Sequence, residues 1–255
     1  GRWLACAGII LAAWMTALPA AAKLVVMHGH AEPTVATLWI QTDAATKVTV
    51  RWRAAGEAVD RTLRLRTAKA DDGVVVARLT GLAPGAAAPY RVQAGGDRRD
   101  GIAHTQPAWT SPGDAAELTI AIGSCFFATD PDAQPSNRDY GGGYEIFDAI
   151  AAKKPDLMLW LGDTLYLQPP DLVDAATIAA RYRRQRAFPP LQALLTATHH
   201  LAIWDDHDYG PNNSSASFPL KDQTLQLFQR YWPNPEFGLP AVPGTFGVAR
   251  HGDLM

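Results

Sequence analysis

The chain has 255 residues, 47% of them hydrophobic, with 23 Lys and Arg against 25 Asp and Glu and a net charge of −2. That apolar content can bury a substantial core, enough for one large domain or two ordinary ones, and it excludes a disordered tail. Near-neutral overall charge excludes a general pull toward nucleic acid or anionic membrane, so any chemistry on phosphate must be local.

The N-terminus, GRWLACAGIILAAWMTALPAAAKLVV, sets Arg2 before an apolar run from Trp3 to Leu18 and small residues Ala20 to Ala22 before Lys23. That order reads as a signal peptide over residues 1–22 cleaved near Ala22, and so as an exported protein; an anchor that is never removed is the alternative. Cys6 would leave with the signal. Cys125 is then the single thiol of the mature chain, and no internal disulfide can form.

From Lys23 to about residue 113 the chain reads as all-β. In KVTVRWRA, Val48, Val50 and Trp52 fall on one face, and PTVATLWIQTD alternates similarly. Short strands separated by turns such as Pro84-Gly85 predict a small sandwich of fibronectin III type. The segment TQPAWTSPGDAAE then reads as a linker.

Over 114–255 the rhythm becomes strand, helix, strand. LTIAIGSC breaks at Gly123, YEIFDAIAAKKP has helical spacing up to Pro155, and DLMLWLGDTLY breaks at Gly162. DAATIAARYRRQRAF and LQALLTAT read as further helices, and HLAIWDDHD as a third apolar strand. Continuous apolar strands alternating with helices predict a largely parallel sheet covered on both faces.

Each of those strands presents reactive residues at its carboxyl end: Cys125, then Asp163 with Tyr166, then Asp205, Asp206, His207 and Asp208. Open α/β sheets bind ligands at that edge. One acidic cluster alone reads as a solvated loop; three segments delivering sulfur, oxygen and imidazole to one rim point to a metal or catalytic site. Carboxylates a few ångströms apart repel unless a proton or a cation intervenes. Hard oxygens with one thiolate suit iron beside an oxygen-preferring metal better than structural zinc.

GSC at 123–125, LWLGDTLY at 159–166 and IWDDHDYGPNN at 203–213 resemble, in order and spacing, the motifs of the PhoD-like alkaline phosphatases of the calcineurin-like metallophosphoesterase superfamily. HGHAEPTVATLWIQT and LTGLAPGAAAPYRV are similar to strands of that family's N-terminal β-domain. The resemblance implies a β-sandwich followed by an α/β metallophosphatase domain of four αββα layers. It further implies an exported monomer that hydrolyses phosphomonoesters, or diesters as well, by attack of metal-activated hydroxide, with ferric iron and calcium as cofactors. By motif match Cys125 and Tyr166 would bind iron, Asp163 would bridge the metals, and Asp206 would meet calcium or phosphate. His207 would serve the leaving oxygen, its ring fixed by Asp208 or Asp205. The family supplies further histidine and aspartate ligands beyond the point where VARHGDLM ends. The expectation is therefore a domain incomplete at its C-terminus, with little activity of its own. The partner implied is a small phosphate ester; no nucleic acid partner and no lasting membrane anchor are expected. Rival readings are a non-catalytic exported binding protein and a phosphodiesterase or phospholipase D-like enzyme of the same fold.

Other residues read as structural. His199 and His200 precede the rim, and His28, His30 and His104 suit surface or turn roles. Trp39, Trp52, Trp160 and Trp204 suit the core. RYRRQR at 181–186 reads as a solvated helical face; the alternative is that Arg181 or Arg184 turns to the rim to attract phosphate. GPNN at 210–213 reads as a turn; the alternative is that Asn212 or Asn213 contacts substrate.

Overall fold

A computed structural model describes residues 24–108, 117–128 and 144–251. The expected signal peptide, Cys6, most of the expected linker and the last four residues lie outside the described residues. β1 (Leu24–His28), β2 (Val35–Thr42) and β5 (Val74–Thr80) form one antiparallel sheet. β3 (Lys47–Trp52), β4 (Arg61–Arg66), β6 (Ala87–Ala94) and β7 (Asp97–His104) form a second, in the order β4-β3-β6-β7. The two sheets enclose a core of Leu24, Val26, Leu38 and Ile40 against Val48, Val50, Tyr90 and Val92.

The central strand of the three-stranded sheet has no solvent face: every residue of β2 is buried, whereas the edge strand β5 keeps Val76, Arg78 and Thr80 exposed. The sheet's second side, with Val25, Met27, Trp39 and Val74, joins the core of the following segment. There the Trp39 indole donates to the Arg230 carbonyl at 2.8 Å and the Gln41 amide to that of Arg183 at 3.3 Å. The alternation in β2 therefore separates two buried environments, because a helical layer covers the side expected to be wet.

The segment after residue 117 holds β8 (Ile120–Gly123), α1 (Glu145–Lys153), β9 (Leu157–Leu161), α2 (Ala175–Arg186), α3 (Gln192–Ala197) and β10 (His199–Ile203). A single turn, α4 (Asp206–Tyr209), then α5 (Lys221–Tyr231) and the short hairpin strands β11 (Gly238–Leu239) and β12 (Val242–Pro243) complete it. β8, β9 and β10 are parallel with β9 central. Met158, Trp160 and Ala202 face the helices and β1–β2–β5. The opposite face leaves Ile122, Leu161 and Ile203 exposed, so among the described residues the sheet is covered on one face, not two. Beyond β10 the Asn234 amide takes the place of a strand, accepting from the Ala202 N–H at 3.1 Å and donating to its carbonyl at 2.6 Å.

Burial corrects two readings of polar residues and one of an aromatic. His28 is an interior residue of β1, with its Nε2 2.9 Å from the Tyr90 hydroxyl. RYRRQR is not a solvated face: Arg181 donates to Asp171 at 2.8 Å from a buried position, and Arg184 approaches the same carboxylate at 3.4 Å. Arg186 is buried with its guanidinium 4.0 Å over the Trp232 ring, and burial brings its pKa down to about 10. Asp171 sits at the turn before α2, which draws these arginines to it. Trp204 is half-buried, whereas Trp39, Trp52 and Trp160 are buried.

Candidate metal centre

Parallel strands in register end together, and the loops after β8, β9 and β10 meet at the carboxyl rim. The Cys125 N–H donates to the Gly162 carbonyl at 3.3 Å and the Phe126 N–H to that of Asp163 at 2.8 Å, tying the first loop to the second. The Leu167 N–H donates to the His207 carbonyl at 3.3 Å, tying the second to the third. Gly162, at φ +91°, is where these loops touch: a Cβ there would lie 2.5 Å from that of Asp205 and 2.7 Å from its backbone nitrogen. Only glycine permits that approach. Cys125 (φ 57°) and Asp163 (φ 51°) both occupy the left-handed region, which disfavours residues with a Cβ and is held here by the surrounding contacts.

Asp163 is the hub. Its Oδ2 accepts from the Tyr166 hydroxyl at 3.0 Å and meets the Cys125 Sγ at 3.8 Å, while its Oδ1 accepts from the His207 N–H at 3.3 Å. Asp163, Asp206 and His207 each offer a ligand atom, all within 4.8 Å of one another. Cys125 is exposed, with its sulfur directed to the rim and not into the interior. Burial, then the neighbouring Cys125 and Asp163, push the Tyr166 phenol well above its ordinary pKa, so without a cation it stays neutral and donates. Its ring lies against His207 with centroids 4.3 Å apart.

Asp208 has a different role from the one its neighbourhood in sequence suggested. Its fully buried carboxylate accepts from the Thr164 hydroxyl at 2.7 Å, the Leu165 N–H at 2.8 Å and the Asp205 N–H at 3.1 Å. Burial raises its pKa to about 6 against those bonds. It staples the β9 loop to the β10 loop and does not hold the imidazole. Asp205 caps α4, accepting from the Asp206 N–H at 2.8 Å. The His207 Nδ1 is buried without a hydrogen-bond partner. Thr164 was not singled out from sequence; its hydroxyl carries no pattern that marks it.

The remaining candidates separate cleanly. Asn213, at φ 57°, directs its backbone N–H to the Asp206 carboxylate, so the GPNN turn orders that side chain. Arg181 and Arg184 are engaged by Asp171. His199 and His200 are buried before the rim: the Nδ1 of His199 lies 2.8 Å from the Gly29 carbonyl, and His200 accepts from the Trp160 indole at 2.9 Å.

No Lys or Arg among the described residues forms an ion pair with Asp163, Asp205, Asp206 or Asp208. Clustered carboxylates without a neighbouring cation, an orphaned imidazole nitrogen, a thiol and a phenol on one carboxylate form a donor set that a metal ion satisfies.

A protein-family model described as a domain of unknown function (DUF7800) matches residues 24–107. No curated protein matches. Among solved structures the chain is similar to one described as the structure of PhoD, with TM-score 0.66 and 19% identity over 91% of this chain and 48% of that one. It is also similar to the fn3 domain of human collagen alpha-1(XX) chain (TM-score 0.30, 22% identity, 41% of this chain and 99% of that one). A third likeness is to the sensor domain of the anti-sigma factor RsgI4 of Pseudobacteroides cellulosolvens (TM-score 0.30, 9% identity, 35% and 98%). The chain thus has a PhoD-like fold and spans about half the length of PhoD.

Proposed function

We propose that this chain carries part of a metal-dependent phosphoesterase of the PhoD-like kind, exported and acting on small phosphate esters. The observation that carries the reading is the convergence of Cys125, Tyr166, Asp206 and His207 on Asp163 at the rim of a PhoD-like fold. Asp163 would bridge two cations, Cys125 and Tyr166 would complete the iron side, and Asp206 the calcium side. When bound, the metals neutralise phosphate charge and lower the pKa of a water molecule.

The protein's own groups do the rest. Asp163 holds the Tyr166 hydroxyl and the His207 backbone in place. Tyr166 packs on the His207 ring and limits its rotation. His207 is the group able to give a proton to the departing ester oxygen. Asp208 and Gly162 fix the spacing between the two ligand-bearing loops.

The exposed Ile122, Leu161 and Ile203 face supports the αββα layering as part of the same proposal, because an apolar sheet face of this kind is stable under a second layer. The division at about residue 113 and the signal peptide belong to it as well. The test is release of phosphate from a monoester and a diester by this chain and by any longer polypeptide that contains it. We expect Asp163→Ala to abolish turnover while the protein stays folded. A folded longer polypeptide without turnover in any metal would favour the binding-protein reading instead.

A further inference from the structure

We propose that the outer face of the four-stranded sheet docks on an anionic phospholipid surface. In β3 the inward residues are Val48, Val50 and Trp52, so Lys47, Thr49 and Arg51 point away from the core. Register carries that face across the sheet: Lys47 lies opposite Arg66, Thr49 between Arg64 and Gln93, and Arg51 between Thr62 and Arg91. Gln93 in turn lies opposite Arg98, and Arg91 opposite Asp100. One face thus gathers Lys47, Arg51, Arg64, Arg66, Arg91 and Arg98 around Asp100, which holds both Arg91 and Arg98, with Asp60 at its border. Among the described residues Lys47, Arg51, Arg64 and Arg66 have no ion-pair partner. Arg53, just beyond β3, is paired with Asp60.

The arrangement is unfavourable for the protein alone. Like charges directly opposite across strands destabilise a sheet, and here Lys47 faces Arg66 and Arg51 faces Arg91. Strands lie about 4.8 Å apart, so neighbouring cations sit well inside a Debye length of about 8 Å and their fields add. Two shallow hollows open on this face, one bordered by Lys47 and Arg66 and the other by Arg51, Arg53 and Arg91 together with Asp60 and Asp100. The chain's net charge of −2 makes the basic face a local concentration and not a property of the whole.

Its shape selects the partner. Trp52 and Tyr90 point into the core, so the face has no aromatic platform on which single-stranded nucleic acid would stack. It is a broad sheet and not a helix or ribbon that enters a duplex groove. Protein interfaces are depleted in lysine and built round apolar or aromatic anchors, whereas here Ile102 is the exposed large apolar side chain on the outer face. A planar array of phosphate headgroups matches a flat array of cations.

The experiment is co-sedimentation of the purified chain with vesicles of phosphatidylcholine containing roughly 30% phosphatidylglycerol, beside pure phosphatidylcholine. We expect binding to the anionic vesicles alone and its loss at about 0.5 M salt. Each cation removed should weaken binding about fivefold, hence about 25-fold for R51Q/R64Q. K47Q/R66Q should weaken it similarly, and K69Q/K153Q, off this face, should not. Because the first two variants relieve like-charge contacts, their melting temperatures should equal or exceed the parent's. Equal binding to neutral vesicles, no binding to anionic ones, or binding unchanged by both variants overturns the proposal. Tighter binding to duplex DNA than to vesicles at matched phosphate and salt overturns it in favour of nucleic acid.

Discussion

Truncating Asp208 to alanine tests how the rim is held together. The substitution orphans three donors, the Thr164 hydroxyl and the Leu165 and Asp205 N–H groups, each worth about 1–3 kcal/mol when left buried and unpaired. It also relieves an unfavourable ionisation: burial lifts the carboxyl from 3.8 to about 6, which returns about 3 kcal/mol at neutral pH. The net expectation is a loss of about 3 kcal/mol at pH 7, within a range of about 0–6, read by urea unfolding, with a smaller loss for Asp208→Asn. The pH dependence has a definite sign. Between about pH 4 and 6 the folded protein keeps this proton while the unfolded chain releases it. The gap between parent and Asp208→Ala should therefore widen as pH falls through 6. Amide exchange at Leu165 and Asp205 should accelerate in the variant. An Asp208→Ala variant more stable than the parent at pH 7, or a gap that narrows toward acid, would refute the reasoning.

The buried histidines act with the opposite sign. Burial depresses His199 to about 4 and His200 to about 3, so their stabilising contribution is complete above pH ~6.5 and is lost as pH falls toward those values, on the order of 3–5 kcal/mol each. His200→Asn should flatten the fall in stability between pH ~6.5 and ~4, measured by urea titration across that range. Gly162→Ala should cost roughly 2–5 kcal/mol, from left-handed backbone strain and the Asp205 contact; a variant as stable as the parent would show that the loops are not in close approach. Tyr166→Phe should leave stability within about 1 kcal/mol and remove the visible band of an iron–phenolate pair from the iron-loaded protein. A band of undiminished strength would exclude Tyr166 as a ligand.

Much of this geometry was legible because parallel strands in register have ends that are also in register. Once LTIAIGSC, DLMLWLGDTLY and HLAIWDDHD read as apolar strands, Cys125, Asp163 and His207 had to lie near one edge. What could not be read was environment. In β2 the period of two was visible, yet nothing in VATLWIQT tells that its second face meets helices and not water. RYRRQR has the composition of a wet surface, and only the placement of Asp171 and Trp232 turns Arg181 and Arg186 inward. Asp208 looked like a partner for the His207 ring; the turn of α4 directs it to Thr164 and Leu165 instead. The alternation in RTLRLR and KVTVRW did carry the basic face, but it emerges only when register sets the cations side by side.

The rim account stands or falls on where a cation settles. Crystals of the chain soaked in a ferric salt, with anomalous data collected at the iron edge, should give a peak within coordination distance of the Asp163 carboxylate and none in Asp163→Ala. Iron bound elsewhere, with no peak at the Asp163 carboxylate on its Cys125 and Tyr166 side, would contradict it.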